Sequence, residues 1–172
     1  MLAPAPGKSC GSCTQCCKIC TVDELQKPAG VYCSHCTIGG GCQIYQDRPP
    51  SCRTFMCSWL YSPDMAPEFK PDKTHVVIWE WAAARILFAD CDPDRPDAWR
   101  SPQVINFLRQ TASRIGPSGW KVFAAVKKQV WLVTEHSILS EEGEATWFVG
   151  HRLFPDWRVA APSVALGRAG EH

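Results

Sequence analysis

The chain has 172 residues, with 18 Lys and Arg against 17 Asp and Glu and a formal net charge of +1, so no electrostatic footprint points to nucleic acid or an anionic membrane. Its apolar share of 45% is ordinary for one globular domain, or one domain with a small appended module. Nowhere do about 18 apolar residues run uninterrupted, which argues against a membrane span.

Residues 1–9, MLAPAPGKS, lack the basic start and apolar stretch of a secretory signal. They read as a flexible lead-in, and the expected address is cytoplasmic. Ten of the eleven cysteines then fall between Cys10 and Cys57, with only Cys91 outside. This uneven distribution divides the chain into a cysteine-rich module over 10–60, an α+β platform over 61–159 and a flexible tail over 160–172. An odd cysteine total in a reducing compartment argues against a disulfide framework and for metal ligation.

In CGSCTQCCKIC, residues 10–20, Cys10, Cys13 and Cys16 repeat the two-residue gap at which a tight turn aims two sulfurs at one ion. Cys16 and Cys17 are neighbours, and neighbouring side chains diverge by roughly 100° in a helix. They are therefore expected to serve different ions, or different edges of one cluster. Thr21-Val22-Asp23-Glu24 fits a capping box for a short helix ending before Pro28.

Cys33, Cys36, Cys42, Cys52 and Cys57 follow. Gly39, Gly40 and Gly41 let the backbone turn tightly enough to return Cys42 to the same site, and Pro49 and Pro50 stiffen the path. The candidate ligands are thus Cys10, Cys13, Cys16, Cys17, Cys33, Cys36, Cys42, Cys52 and Cys57. Two tetrahedral zinc ions would use eight of these sulfurs without sharing, and three would use all nine with bridging.

The run CxxCxxCC followed by GGGCQIYQDRPPSCRTFMCSWL resembles the YkgJ-type cysteine-cluster family, described as a zinc- or iron-chelating domain. The likeness spans roughly residues 10 to 60. It matches the family's eight-cysteine pattern at Cys10, Cys13, Cys16, Cys17, Cys42, Cys52 and Cys57, with Cys36 as the eighth. Cys33 departs from that minimal pattern. The resemblance implies chelation and no particular reaction.

Zinc is favoured as the cofactor because it accepts all-thiolate tetrahedra and can hold a loop-rich segment poor in apolar residues. Iron or an iron-sulfur cluster is the alternative. Ionised thiolates in such number need balancing cations, and Arg48 and Arg53 lie close in sequence; Arg48 could equally brace a turn or pair with Asp47. His35 could replace a sulfur, although a solvent-facing imidazole is the simpler reading. Cys20 could extend the cluster or act as a small buried apolar residue. Cys91 reads as a buried or idle thiol.

Residues 75–91 form two β-rich runs that read as a hairpin or one bent strand. Ser101 and Pro102 then start an amphipathic helix of about four turns, with Val104, Ile105, Leu108, Ala112 and Ile115 at helical spacing up to Gly116. Residues 120–134 read as a hairpin turning at Lys127 and Lys128, and residues 145–154 as a further strand. Glu141, Glu142 and Glu144 read as a charged loop. The fold class is α+β, a loop-rich metal-cluster half packed on an antiparallel sheet with one main helix.

Seven of the eight tryptophans follow residue 60, and aromatics at strand spacing are read as core before ligand groove. No nucleophile elbow, phosphate loop, dinucleotide fingerprint or zinc-protease motif is present. The expected function is metal binding, with a metal-dependent enzyme or a metal-trafficking protein as the alternatives and a protein partner left open.

Overall fold

A computed structural model describes residues 3–141, which form an α+β fold with one main helix. The cysteine-rich part has only short elements. Helix α1 spans Gln15–Ile19, a two-stranded ribbon joins β1, Cys36–Thr37, to β2, Gly41–Cys42, and α2 and α3 cover Pro50–Thr54 and Ser58–Tyr61. Gly41 sits at φ 89°, and a Cβ there would lie 2.7 Å from the Gly11 carbonyl oxygen. Only glycine allows this approach, which brings Cys42 back beside the first cysteine loop.

The stretch ahead of Cys10 is tied down, in contrast to the loose end expected there. Ala5 is buried and donates its N–H to the Leu60 carbonyl at 2.9 Å, while Lys8 Nζ donates to the carbonyls of Ser62 and Met65, each at 2.6 Å. The expected capping box also fails to form. Asp23–Leu25 is a single 3₁₀ turn without a side-chain cap. Glu24 instead accepts bonds from the Ser51 N–H at 3.1 Å and the Ser51 hydroxyl at 2.7 Å, capping the start of α2.

Helix α4, Pro71–Thr74, leads through His75 into the hairpin of β3, Val76–Trp81, and β4, Ile86–Cys91. Helix α5, Pro102–Ile115, begins after Ser101 as expected, although the serine hydroxyl makes no capping bond. Strands β5, Lys121–Val126, and β6, Gln129–Val133, form the second expected hairpin, turning at Lys127 with φ 53°. Strand β7, Ile138–Glu141, pairs with β6 and takes in Glu141, a position expected in a charged loop. Residues 142–172, with the expected strand at 145–154, Glu142, Glu144 and the tail, lie outside the described residues.

The five-stranded sheet runs β3-β4-β5-β6-β7. It is mixed where an antiparallel sheet was expected: β4 and β5 are parallel, because α5 carries the chain back across one face between them. The period-two alternation of β3 explains how both faces are filled. Val76 and Ile78 pack towards α5 with Trp99, Val104 and Leu108. Val77 and Trp79 point the other way, where Ile19, Phe55 and Cys57 of the cysteine-rich part cover them. Trp79 stacks on Phe88 at 5.0 Å and donates its indole N–H to buried Asp90 at 2.7 Å. These aromatics are core.

Candidate metal centre

Helix α1 has two working faces. Gln15, Lys18 and Ile19, at helical spacing, are buried against the platform. Ile19 enters the sheet core, Gln15 Nε2 lies 3.3 Å from His75 Nδ1, and Lys18 Nζ donates to Asp92 Oδ1 and Asp94 Oδ2, both at 2.6 Å. The Lys18 and Asp92 side chains are only 8% and 5% exposed, whereas Asp94 is 78% exposed. Burial pulls the Lys18 ammonium down, but the two carboxylates outweigh it and hold its pKa above the ordinary value. Burial, and then the Arg95 charge, keeps the His75 imidazole below its usual range, so it is neutral and leaves Asp92 to Lys18.

The opposite face of α1 turns Cys16, Cys17 and Cys20 into a cavity of about 170 Å³. Nine cysteines line it: these three with Cys10, Cys13, Cys33, Cys42, Cys52 and Cys57. Cys36 completes the group, its thiol facing that of Cys17 and its backbone paired with Cys42 across the ribbon. All nine expected ligand cysteines, together with Cys20, are thus brought to one place. The first CxxC segment makes the expected tight turn, the Cys13 N–H bonding to the Cys10 carbonyl at 2.9 Å, and Cys33–Cys36 makes another, the Cys36 N–H bonding to the Cys33 carbonyl at 3.0 Å. His35 stays outside the cavity lining, but its backbone N–H points at Cys33 Sγ, 3.4 Å away.

Within this gathering the sulfurs fall into two neighbourhoods. Cys10, Cys13, Cys16 and Cys57 surround a small apolar pocket of about 30 Å³ against the sheet. The second is linked pairwise: Cys17 interacts with Cys36 and Cys52, and Cys33 with the same two. Cys16 and Cys17, whose thiols touch each other, stand one in each. No disulfide links any of the eleven cysteines. In this conformation no three His, Cys, Asp or Glu side chains among the described residues form a ready-made ligand set. The donor chemistry suits zinc or an iron-sulfur cluster, and the sulfurs would have to draw inward to hold either.

Burial raises the thiol pKa values of Cys13 and Cys52, and those of Cys36 and Cys57 to about 11. Cys17 is pushed well up, first by its contact with Cys16 and then by burial. The Cys17 contact works the other way on Cys16, but burial and the neighbouring sulfurs outweigh it and raise that pKa too. These thiols therefore keep their protons at neutral pH unless a cation takes their place. Cys91 stands apart, buried and donating to the Arg95 carbonyl at 3.0 Å, with burial raising its pKa to about 11.

Arg48 braces the local turn and, like Arg53, also lines the cysteine cavity. Its Nε donates to the Tyr45 carbonyl at 2.9 Å, and its guanidinium lies 3.8 Å from the Tyr45 ring centroid. Three residues absent from the sequence reading prove to belong to the site. Tyr45 points its hydroxyl at Cys10 Sγ, 3.9 Å away, Lys18 anchors the helix that carries Cys16 and Cys17, and Lys27 lies buried behind that helix. All three lie inside the cysteine-rich module in sequence, but position alone does not tell a buried lysine or a sulfur-facing tyrosine from a surface one. Among the described residues no helix is long and apolar enough to cross a membrane. Comparison with known proteins finds no matching family model, no similar curated protein and no similar solved structure.

Proposed function

We propose that this chain is a cytoplasmic metal-binding protein that holds at least two zinc ions through paired thiolate sites. The observation that carries this reading is the convergence of nine candidate ligands, drawn from five separate short segments, on one cavity without a disulfide between them. One ion belongs with Cys10, Cys13, Cys16 and Cys57, and the other with Cys17, Cys33, Cys36 and Cys52; Cys42 stands beside the second group as a ninth donor. The cysteine pattern's resemblance to the YkgJ-type family supports the same chemistry.

Zinc would act here by replacing the thiol protons and tying together loops that have little core of their own. The chain's residues supply the donors, exclude water with apolar walls such as Leu25, Ile44 and Phe55, and orient α1 through Lys18. The test is elemental analysis and visible spectroscopy of protein purified without oxygen. Two or three zinc ions per chain in colourless protein are expected. Iron with acid-labile sulfide and a brown colour would replace zinc with a cluster, and protein free of any metal would overturn the reading.

A further inference from the structure

Two lysine ammonium groups are buried beside α1, and they are balanced differently. Lys18 is met by Asp92 and Asp94. Lys27, only 6% exposed, has no carboxylate within 4.0 Å among the described residues. Its three protons go to backbone carbonyls, those of Lys18 at 3.1 Å, Pro28 at 2.9 Å and Cys20 at short range. Carbonyl dipoles satisfy its hydrogen bonds, but they carry no net charge, and a buried ammonium is ordinarily matched by an anion. The side chains of opposite potential charge around it are the thiols of Cys20, Cys33, Cys17 and Cys16.

Four thiolates around a divalent ion leave a net negative charge, so a pair of such sites is strongly anionic. We infer that Lys27 is a fixed, buried counter-charge of the thiolate assembly, beside Arg48 and Arg53 at the cavity wall, and a positioning residue that favours the metal-bound state without touching the metal. The inference rests on the metal-binding reading and adds to it a residue outside every cysteine motif. The placement is tied to the fold: an isolated bridge between Val22 and Lys27 reverses the chain and brings the Lys27 ammonium under the end of α1.

The test compares zinc affinity, measured by chelator competition on zinc-loaded full-length protein, across wild type, K27R, K27Q and K27M. Arginine keeps the charge, glutamine keeps donors without charge, and methionine keeps neither. Zinc should bind K27M and K27Q about tenfold more weakly than wild type, with K27R within about twofold, from the loss of a cation within several ångströms of the thiolates. Wild-type affinity in K27Q or K27M would overturn the counter-charge role, because a merely structural cap of α1 needs donors and no charge. Should K27M fail to fold, the K27R and K27Q pair still decides. Wild-type protein that binds no zinc would overturn the metal-binding reading instead.

Discussion

Cys16 and Cys17 share a peptide bond and their thiols touch, but their other partners differ: Cys16 also lines the small pocket against the sheet, and Cys17 also faces Cys36 of the ribbon. Cys16→Ser should therefore cost the ion grouped with Cys10, Cys13 and Cys57, and Cys17→Ser the ion grouped with Cys33, Cys36 and Cys52. Each variant is expected to retain about half the wild-type zinc by mass spectrometry, whereas Cys91→Ser should retain all of it. Equal retention in all three variants would contradict the two-site division. At this scale the sequence was informative about donors and poor about charges. A cysteine ligand announces itself through spacing, because a tight turn needs a fixed number of residues. Lys18 and Lys27 announce nothing, because a buried lysine looks like any surface lysine until the chain is folded over it.

Helix α1 has five residues, far below the length at which a helix holds itself in water. Its orientation therefore depends on what it is fastened to, and the Lys18–Asp92 pair is the strongest polar fastening. Asp92→Asn would leave Lys18 with only the exposed Asp94 carboxylate. Urea unfolding should show a loss of about 3 kcal/mol, the usual cost of breaking a buried pair from one side. A loss below about 1 kcal/mol would mean that Ile19 and Gln15 dock the helix without the ion pair. The two hairpins were legible because β-rich runs interrupted by a short break leave a local trace. The parallel β4–β5 pair was not, since the decision to cross over rather than turn back is made by α5 packing on the sheet. The capping box misled for a related reason: Glu24 found a better donor pair on Ser51, 27 residues away.

On the scale of the whole molecule, the sheet is covered on one face by α5 and on the other by the cysteine-rich half. The two coverings are held by different physics. The helix side buries Trp99, Val104 and Leu108 almost completely, a stable apolar contact that needs no ligand. The cysteine-rich half offers Ile19, the half-buried Phe55 and Cys57, and Trp59 and Leu60 of α3, joined by loops whose longest helix has five residues. Burial of that size is small against the conformational entropy of ordering about 50 residues, so bound metal should supply much of the order there. Stripping zinc from the full chain with a chelator under reducing conditions should then open residues 10–57 to protease while a fragment containing residues 75–133 persists. Mass spectrometry of the cleavage products reads this directly, and restoring zinc should close the same sites. If both halves were cut together, the metal would be holding the entire fold. If neither were cut, the apolar contacts through Ile19 and Phe55 would be enough to hold the module without it.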